Sequence, residues 1–266
     1  MCFSDLNGDG WDSVLIGWSN YSSANQATVF RYENGEVKPS DLEYSYTDLA
    51  LEDFDRDGTD ELFMSSVNTA DKSAAARLLK YSEASDSLVN VSEVEMNQEV
   101  TQYASFQAGE LENGYRGVYI DGVKSGNQMT TELVYWDPEE QKLQAPFYSS
   151  DSSNKISLTR PAGVTCMDIN EDGVIEIPAA RPFEGNAAAS NTVMPAMDER
   201  AASSAAPAYI TQWQQYFPQE KELVSIQNMY VNTEEGYYFL MPSSWLETVT
   251  GALERASANS SFLNGW

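Results

Sequence analysis

The chain has 266 residues, enough for one large domain or two ordinary ones, and its 42% hydrophobic and 12% aromatic residues allow a buried core. Its 41 acidic and 15 basic residues give a formal charge of -26, which disfavours nucleic acids and anionic membrane surfaces as partners because their phosphates would be repelled. The chain contains no histidine, which excludes imidazole zinc sites and any nucleophile that histidine activates.

One acidic loop recurs along the chain. It first reads Asp5-Leu6-Asn7-Gly8-Asp9-Gly10-Trp11-Asp12-Ser13 and returns at residues 53–61 and 168–176, with a degenerate, shorter copy at 110–117. The four copies start at residues 5, 53, 110 and 168, at intervals of 48, 57 and 58 residues. Such a period is close to the length of one four-stranded blade of a β-propeller with generous loops.

Each loop is followed by segments that are typical of strands. A short apolar run comes first, and in the first three copies a second strand lies about 22 to 24 residues after the loop start, before turns such as Asn34-Gly35 or Asp137-Pro138. Residues 48–52 and 163–167 predict strands that enter the second and last full loops. The expected fold is therefore all-β, a propeller or propeller segment of about four four-stranded blades plus a C-terminal fragment.

The repeat pattern extends over residues 1–245 and is interrupted once. Residues 185–207 consist almost wholly of Ala, Ser, Asn, Met and Pro, and predict a flexible surface insertion because they offer little to bury. Residues 236–240 resemble a strand that enters a further unit. We expect residues 246–266 to begin a further blade or a different domain.

The acidic loop has the side chains that a calcium ion requires. Calcium takes six to eight oxygen ligands, and Asp or Asn at loop positions 1, 3 and 5 directs three oxygens at one point. Glycine at position 6 permits the reversal, position 7 supplies a backbone carbonyl, and an acid at position 9 closes the shell. The predicted ligands are Asp5, Asn7, Asp9, Trp11 and Ser13 in the first loop, Asp53, Asp55, Asp57, Thr59 and Glu61 in the second, and Asp168, Asn170, Asp172, Val174 and Glu176 in the last.

Two other interpretations compete with a repeat-type calcium loop. An EF-hand or dockerin needs an acid at position 12, where this chain has Ile16, Met64 and Ala179, and it needs flanking helices. The second alternative is an Asp/Asn/Gly-rich turn that only caps a hairpin. Ser13 at position 9 weakens the first site, and we expect the degenerate copy at 110–117 to bind nothing.

These loops resemble the FG-GAP and VCBS-type repeats of integrin-like and bacterial surface propellers. The shared signature is Asp-x-Asn/Asp-x-Asp-Gly-x-x-Asp/Glu before an apolar strand, as at residues 53–61 and 168–176. The resemblance implies a calcium ion in the loop that joins adjacent strands of a blade, where it supports the edge of the propeller.

The expected function is non-catalytic binding or adhesion, with an extracellular protein or a glycan as the partner. Trp11, Trp18 and Tyr115 are candidates for stacking on sugars, although such residues in blades are usually core. The alternatives are an architectural spacer in a larger surface protein and a polysaccharide-active enzyme domain that uses paired carboxylates.

Location is inferred from the calcium chemistry and the resemblance, and both indicate an extracellular or bacterial cell-surface protein. The first motif starts at Asp5 with almost no strand before it, so we expect a missing preceding segment that could supply an anchor. No apolar run is long enough for membrane insertion. Cys2 and Cys166 are expected to be unpaired, half-buried thiols rather than a disulfide.

Overall fold

The computed structural model describes residues 1–20, 23–68, 70, 72–148, 158–182, 209–233 and 235–246. The predicted insertion at 185–207 and residues 247–266 of the predicted C-terminal unit lie outside this part of the chain. Within the described residues the secondary structure is almost wholly strand, with short 3-10 turns at Glu112–Gly114 and Ser243–Trp245. No described helix is long and apolar enough to cross a membrane.

The described strands form four antiparallel sheets, each arranged in chain order. The first sheet contains β1 (Cys2–Ser4), β2 (Ser13–Asn20), β3 (Ser23–Glu33) and β4 (Glu36–Asp41), and the second contains β5 (Asp48–Glu52), β6 (Glu61–Asn68), β7 (Ser73–Ser82) and β8 (Ser87–Glu95). The third contains β9 (Gln102–Glu110), β10 (Arg116–Lys124), β11 (Gln128–Asp137) and β12 (Lys142–Gln144), with β13 (Arg160–Pro161) also paired to β11, and the fourth contains β14 (Ile177–Pro182), β15 (Tyr209–Phe217), β16 (Glu222–Asn232) and β17 (Tyr237–Leu240). The prediction of an all-β fold built from four-stranded units is confirmed.

The turn residues explain why consecutive strands fold back as hairpins. Asn34 and Gly35 both have positive φ angles, 51° and 88°, between β3 and β4. A two-residue turn with this backbone matches the right-handed twist of the strands it joins, and Asn-Gly is the sequence that adopts it most readily. The Asn-Gly hairpin predicted at this position is therefore confirmed.

Three clusters of the apolar core lie between successive sheets. Leu15 of the first sheet packs with Leu62 and Met64 of the second, whereas Phe63, on the opposite face of the second sheet, packs with Ile120 of the third. A third cluster joins the third and fourth sheets, and its members are Leu111, Tyr119, Leu133, Tyr135, Phe147, Leu158, Cys166, Ile175, Ile177 and Tyr216. Alternate residues of the inner strands thus face opposite neighbours, as the period of a strand requires.

The first sheet has one apolar face that no described sheet covers. Ile16 follows its acidic loop by the same number of residues as the buried Met64 of the second sheet, yet Ile16 is 37% exposed. Trp18, Tyr32 and Val37 are also exposed. In the second and third sheets the corresponding face packs against the preceding sheet.

Two strand predictions in the last repeat need correction. The segment 236–240 does not enter a further unit, because β17 pairs antiparallel with β16 from Met229–Leu240 to Asn232–Tyr237 and so ends the fourth sheet. The predicted entering strand 163–167 is reduced to one bridge, Met167 to Glu176. The apolar pattern at 236–240 was correct for strand conformation, because Tyr237–Leu240 is a strand, but it did not specify the partner strand.

The two cysteines are free, as predicted. Cys2 is exposed and Cys166 is buried, so the prediction that both are half-buried was wrong. Burial raises the pKa of the Cys166 thiol well above its usual range, which keeps it protonated and unreactive.

Candidate metal-binding loops

The three full acidic loops share one set of hydrogen bonds. In each, the aspartate at position 1 accepts backbone N–H bonds from positions 5 and 6, and the aspartate at position 5 accepts one from position 7. For the last loop these distances are 3.2 Å from Asp172 N and 2.9 Å from Gly173 N to Asp168, and 2.8 Å from Val174 N to Asp172. The carboxylates are therefore fixed by their own backbone and directed inward.

Left-handed backbone at positions 4 and 6 closes each loop. Position 6 is Gly10, Gly58 or Gly173, with φ angles of 87°, 94° and 90°. A side chain is disfavoured at such an angle, which explains glycine at this position in every full copy. Position 4, where Arg56 and Glu171 have φ angles of 60° and 62°, accepts other residues at some conformational cost.

The glutamate at position 9 adds a buried carboxylate to the second and last loops. Glu61 and Glu176 are fully buried. One oxygen of each accepts the backbone N–H of position 2, at 2.9 Å from Phe54 and 2.8 Å from Ile169. Burial raises the pKa of both carboxyls. In the first loop Ser13 occupies this position and is buried, so that loop has no carboxylate there.

Two carboxylate clusters in the described residues bring ligand atoms close enough for a metal ion. They consist of Asp53, Asp55 and Asp57, and of Asp168, Asp172 and Glu176, and the ligand atoms of each lie within 4.8 Å of one another. An all-oxygen, carboxylate-rich donor set suits a hard divalent cation. The first loop is not among these clusters, and there the side chain of Asn7 donates to Asp9 at 2.9 Å.

In the second loop a lysine ammonium group already contacts the carboxylates. Lys80 Nζ lies 2.5 Å from Asp55 Oδ2, 2.6 Å from Asp57 Oδ2 and 3.1 Å from Glu61 Oε1. Burial opposes charge on this group, but the three carboxylates outweigh burial and raise its pKa. The same bonds, with those from Thr59, outweigh burial at Asp57 and lower its pKa to about 2.

In the last loop a neutral amide takes the place of this lysine. Gln215 is 4% exposed, and its Nε2 donates to Asp172 Oδ2 at 2.9 Å and to Glu176 Oε1 at 2.8 Å. Strand pairing shows that the two positions are equivalent, because β14 pairs Ile177 with Gln214 as β6 pairs Leu62 with Leu79.

The loops contact one another in chain order along one edge of the stacked sheets. Ser4, just before the first loop, donates to Asp60 of the second loop at 2.6 Å. Arg56 of the second loop contacts Glu110 at 3.3 Å, at the start of the degenerate copy. Glu110 in turn forms a parallel bridge with Val174 of the last loop. An ion bound in one loop would thus stabilise a junction between sheets.

The three aromatic candidates for sugar contact differ in exposure. Trp11 in the first loop is 68% exposed and Trp18 on β2 is 43% exposed, so neither belongs to the core. Tyr115 instead packs edge-on against Tyr135, with ring centroids 5.8 Å apart.

Lys80 and Gln215 are the residues near these loops that the sequence reasoning missed. When the second strands at 28–32 and 77–81 are aligned, Arg31 and Lys80 occupy the same position, which indicates a basic residue beside an acidic loop. Arg31 instead pairs with Asp86, in the turn between β7 and β8 of the second sheet, at 2.6 Å. Alignment alone could not distinguish these two outcomes.

Comparison with known proteins adds no family assignment, since no protein-family model and no curated protein sequence matches this chain.

Proposed function

We propose that this chain is a calcium-binding β-propeller segment of the FG-GAP or VCBS repeat type, a non-catalytic module that binds an extracellular protein or glycan. The observation that carries the proposal is the cluster of Asp168, Asp172 and Glu176 in a loop whose geometry recurs twice more. Four meander sheets that pack face to face in chain order are what successive propeller blades require. In a closed ring a neighbouring blade would cover the apolar face around Ile16.

The role of calcium in this proposal is structural. The ion would be held by side-chain oxygens of Asp168, Asn170, Asp172 and Glu176 and by the backbone carbonyl of Val174. Buried Glu176 is the ligand that gains most, because burial already disfavours its charged form. Contact between this loop and Glu110 links the site to the preceding sheet. A cation here therefore supports the packing of the fourth sheet on the third.

Removing calcium should lower the stability of the chain. At a free calcium concentration a hundredfold above Kd, each occupied site adds about 2.7 kcal/mol to the free energy of unfolding. We expect Tm to fall when calcium is replaced by excess chelator, and Asp168→Asn to reduce that fall. Differential scanning calorimetry with millimolar calcium or chelator measures both effects.

Glu83→Gln is the matched control for this experiment. Glu83 is an exposed acid in the turn between β7 and β8, far from the loops in sequence. It should leave the calcium-dependent change in Tm as in the wild type. A Tm that is the same in calcium and chelator would show that the loops are only hairpin turns.

An exposed tryptophan in the first loop makes a glycan the more specific of the two partner classes. Trp11 presents a flat apolar ring to solvent, and such a ring stacks on the apolar face of a sugar. On a glycan array we expect a signal that requires calcium and that Trp11→Ala reduces at least tenfold. Tyr32→Ala, which removes another exposed ring, is the control. If no glycan binds while a pull-down recovers a protein, the partner is a protein, and if neither is recovered the chain is a spacer.

A further inference from the structure

The second and last acidic loops share a motif but differ in the residue that faces their centres. In the second loop this residue is Lys80, whose ammonium group contacts three of the loop carboxylates. In the last loop it is Gln215, whose amide contacts two. Both side chains come from equivalent positions on the second strand after each loop, which is β7 for Lys80 and β15 for Gln215. The chain therefore carries a cation of its own in one loop and a neutral group in the other.

Lys80 satisfies the oxygens that a metal ion would take in the second loop. Its contacts with Asp55, Asp57 and Glu61 include loop positions 3, 5 and 9. Of these oxygens, Glu61 Oε1 is on a fully buried side chain, and Lys80 Nζ, 3.1 Å away, is the polar group that contacts it in the described structure. A divalent cation at this centre would meet the ammonium charge and would have to displace it.

Gln215 in the last loop is neutral and carries no charge that a divalent cation would have to displace. A half-turn of its amide would exchange Nε2 for Oε1 and present an oxygen to the same centre, since the amide carries a donor and an acceptor at similar distances. The side chain is buried against Asp172 and Glu176, so it is already positioned for that role. The last loop thus offers one neutral oxygen more than its motif contains.

We propose that the ammonium group of Lys80 prevents a divalent metal ion from binding in the second loop. Because Gln215 is neutral, the last loop is the one of these two that binds calcium. This inference rests on the proposed function for the last loop. It makes Lys80 and Gln215 the residues that determine which of these two copies of the motif takes the ion. The first loop differs for another reason, because it has Ser13 in place of the position-9 acid.

Exchanging the two residues tests this directly. Calcium binding to the full chain is counted by isothermal titration calorimetry after chelator has been removed by dialysis. Lys80→Gln should bind one calcium ion more than the wild type, and Asp53→Asn in that background should remove the additional ion. Gln215→Lys places a positive charge where the calcium ion would bind, so it should weaken calcium binding at the last loop by roughly tenfold or more. Circular dichroism confirms that each variant is folded.

The outcomes separate this inference from the proposed function. If wild-type calcium binding is lost in Asp53→Asn but retained in Asp168→Asn, the loops bind calcium but the assignment to the last loop is overturned. An unchanged ion count in Lys80→Gln also overturns it. If the wild type binds no calcium while Lys80→Gln binds one ion, the closing role of Lys80 stands and the proposed calcium site at Asp168 fails.

Discussion

Replacing Arg160 with methionine is expected to lower the free energy of unfolding by about 3 to 5 kcal/mol, the cost of leaving a buried charge without its partner. Arg160 is 2% exposed, and its Nη2 lies 2.5 Å from Oδ1 of Asp121, which is fully buried. Methionine retains much of the volume of the side chain and none of its charge. Urea denaturation, followed by tryptophan fluorescence, measures the change.

The expected loss of stability is large because this ion pair binds the chain segment that connects the third sheet to the fourth. Asp121 lies on β10 and accepts the backbone N–H of Cys166 at 2.7 Å. Arg160 on β13 donates to the carbonyls of Val164 and Leu158 at 2.9 and 3.3 Å. Removal of the guanidinium therefore leaves both an unpaired carboxylate and two carbonyl groups without these donors.

A double-mutant cycle distinguishes the ion pair from general packing. Asp121→Asn in the Arg160→Met background removes the isolated charge, so the double variant should be less destabilised than the sum of the two single variants by roughly 1 to 3 kcal/mol. Lys142→Met is the control, because Lys142 and Glu140 form a largely exposed pair whose loss should change the free energy of unfolding far less than loss of the buried pair. Strictly additive effects of the two buried substitutions would contradict the coupling.

Much of this fold could be predicted because its signals are local. The strand β5 coincides with the predicted residues 48–52, and the turn at Asn34-Gly35 closes the expected hairpin. Loop geometry follows from Asp, Asn, Gly and Glu in fixed order, since each bond within the loop spans at most seven residues, as from Ile169 to Glu176.

Contacts between distant parts of the chain could not be predicted in the same way. The pair Lys80 and Asp55 is 25 residues apart, and Asp121 and Arg160 are 39 apart. A strand pattern assigns the Lys80 side chain to one face of β7. Whether that side chain reaches an acidic loop depends on how β7 crosses the loop. Arg31 illustrates the limit, because the equivalent position turns to the next sheet.

The second large effect concerns Glu132, a buried carboxyl whose charge is poorly compensated. Glu132 on β11 is 4% exposed, and its Oε1 accepts the Asn97 N–H at 2.5 Å. Oε2 has no partner in the described part of the chain. Burial, which the Asn97 bond only partly offsets, raises the pKa of this carboxyl from 4.5 to about 7. The folded protein therefore holds this proton more tightly than the unfolded chain does.

The sign of the pH dependence follows from that order of pKa values. Below pH 4.5 the carboxyl is protonated in both states, and folding carries no charge penalty. Between pH 4.5 and about 7 the unfolded chain loses the proton first, so stability falls as the pH rises, by about 3 kcal/mol in total. Above that range the penalty is constant.

Glu132→Gln should abolish this dependence while preserving the acceptor for Asn97. We expect the difference in free energy of unfolding between the variant and the wild type to shift by about 3 kcal/mol in favour of the variant from pH 4 to pH 8. Urea denaturation at intervals across this range gives the difference, in which the titration of all other carboxyls cancels. Glu139→Gln is the control, because its side chain is exposed in a turn and remains solvated after unfolding. Parallel stability curves for the wild type and Glu132→Gln would show that the buried carboxyl does not titrate in this range.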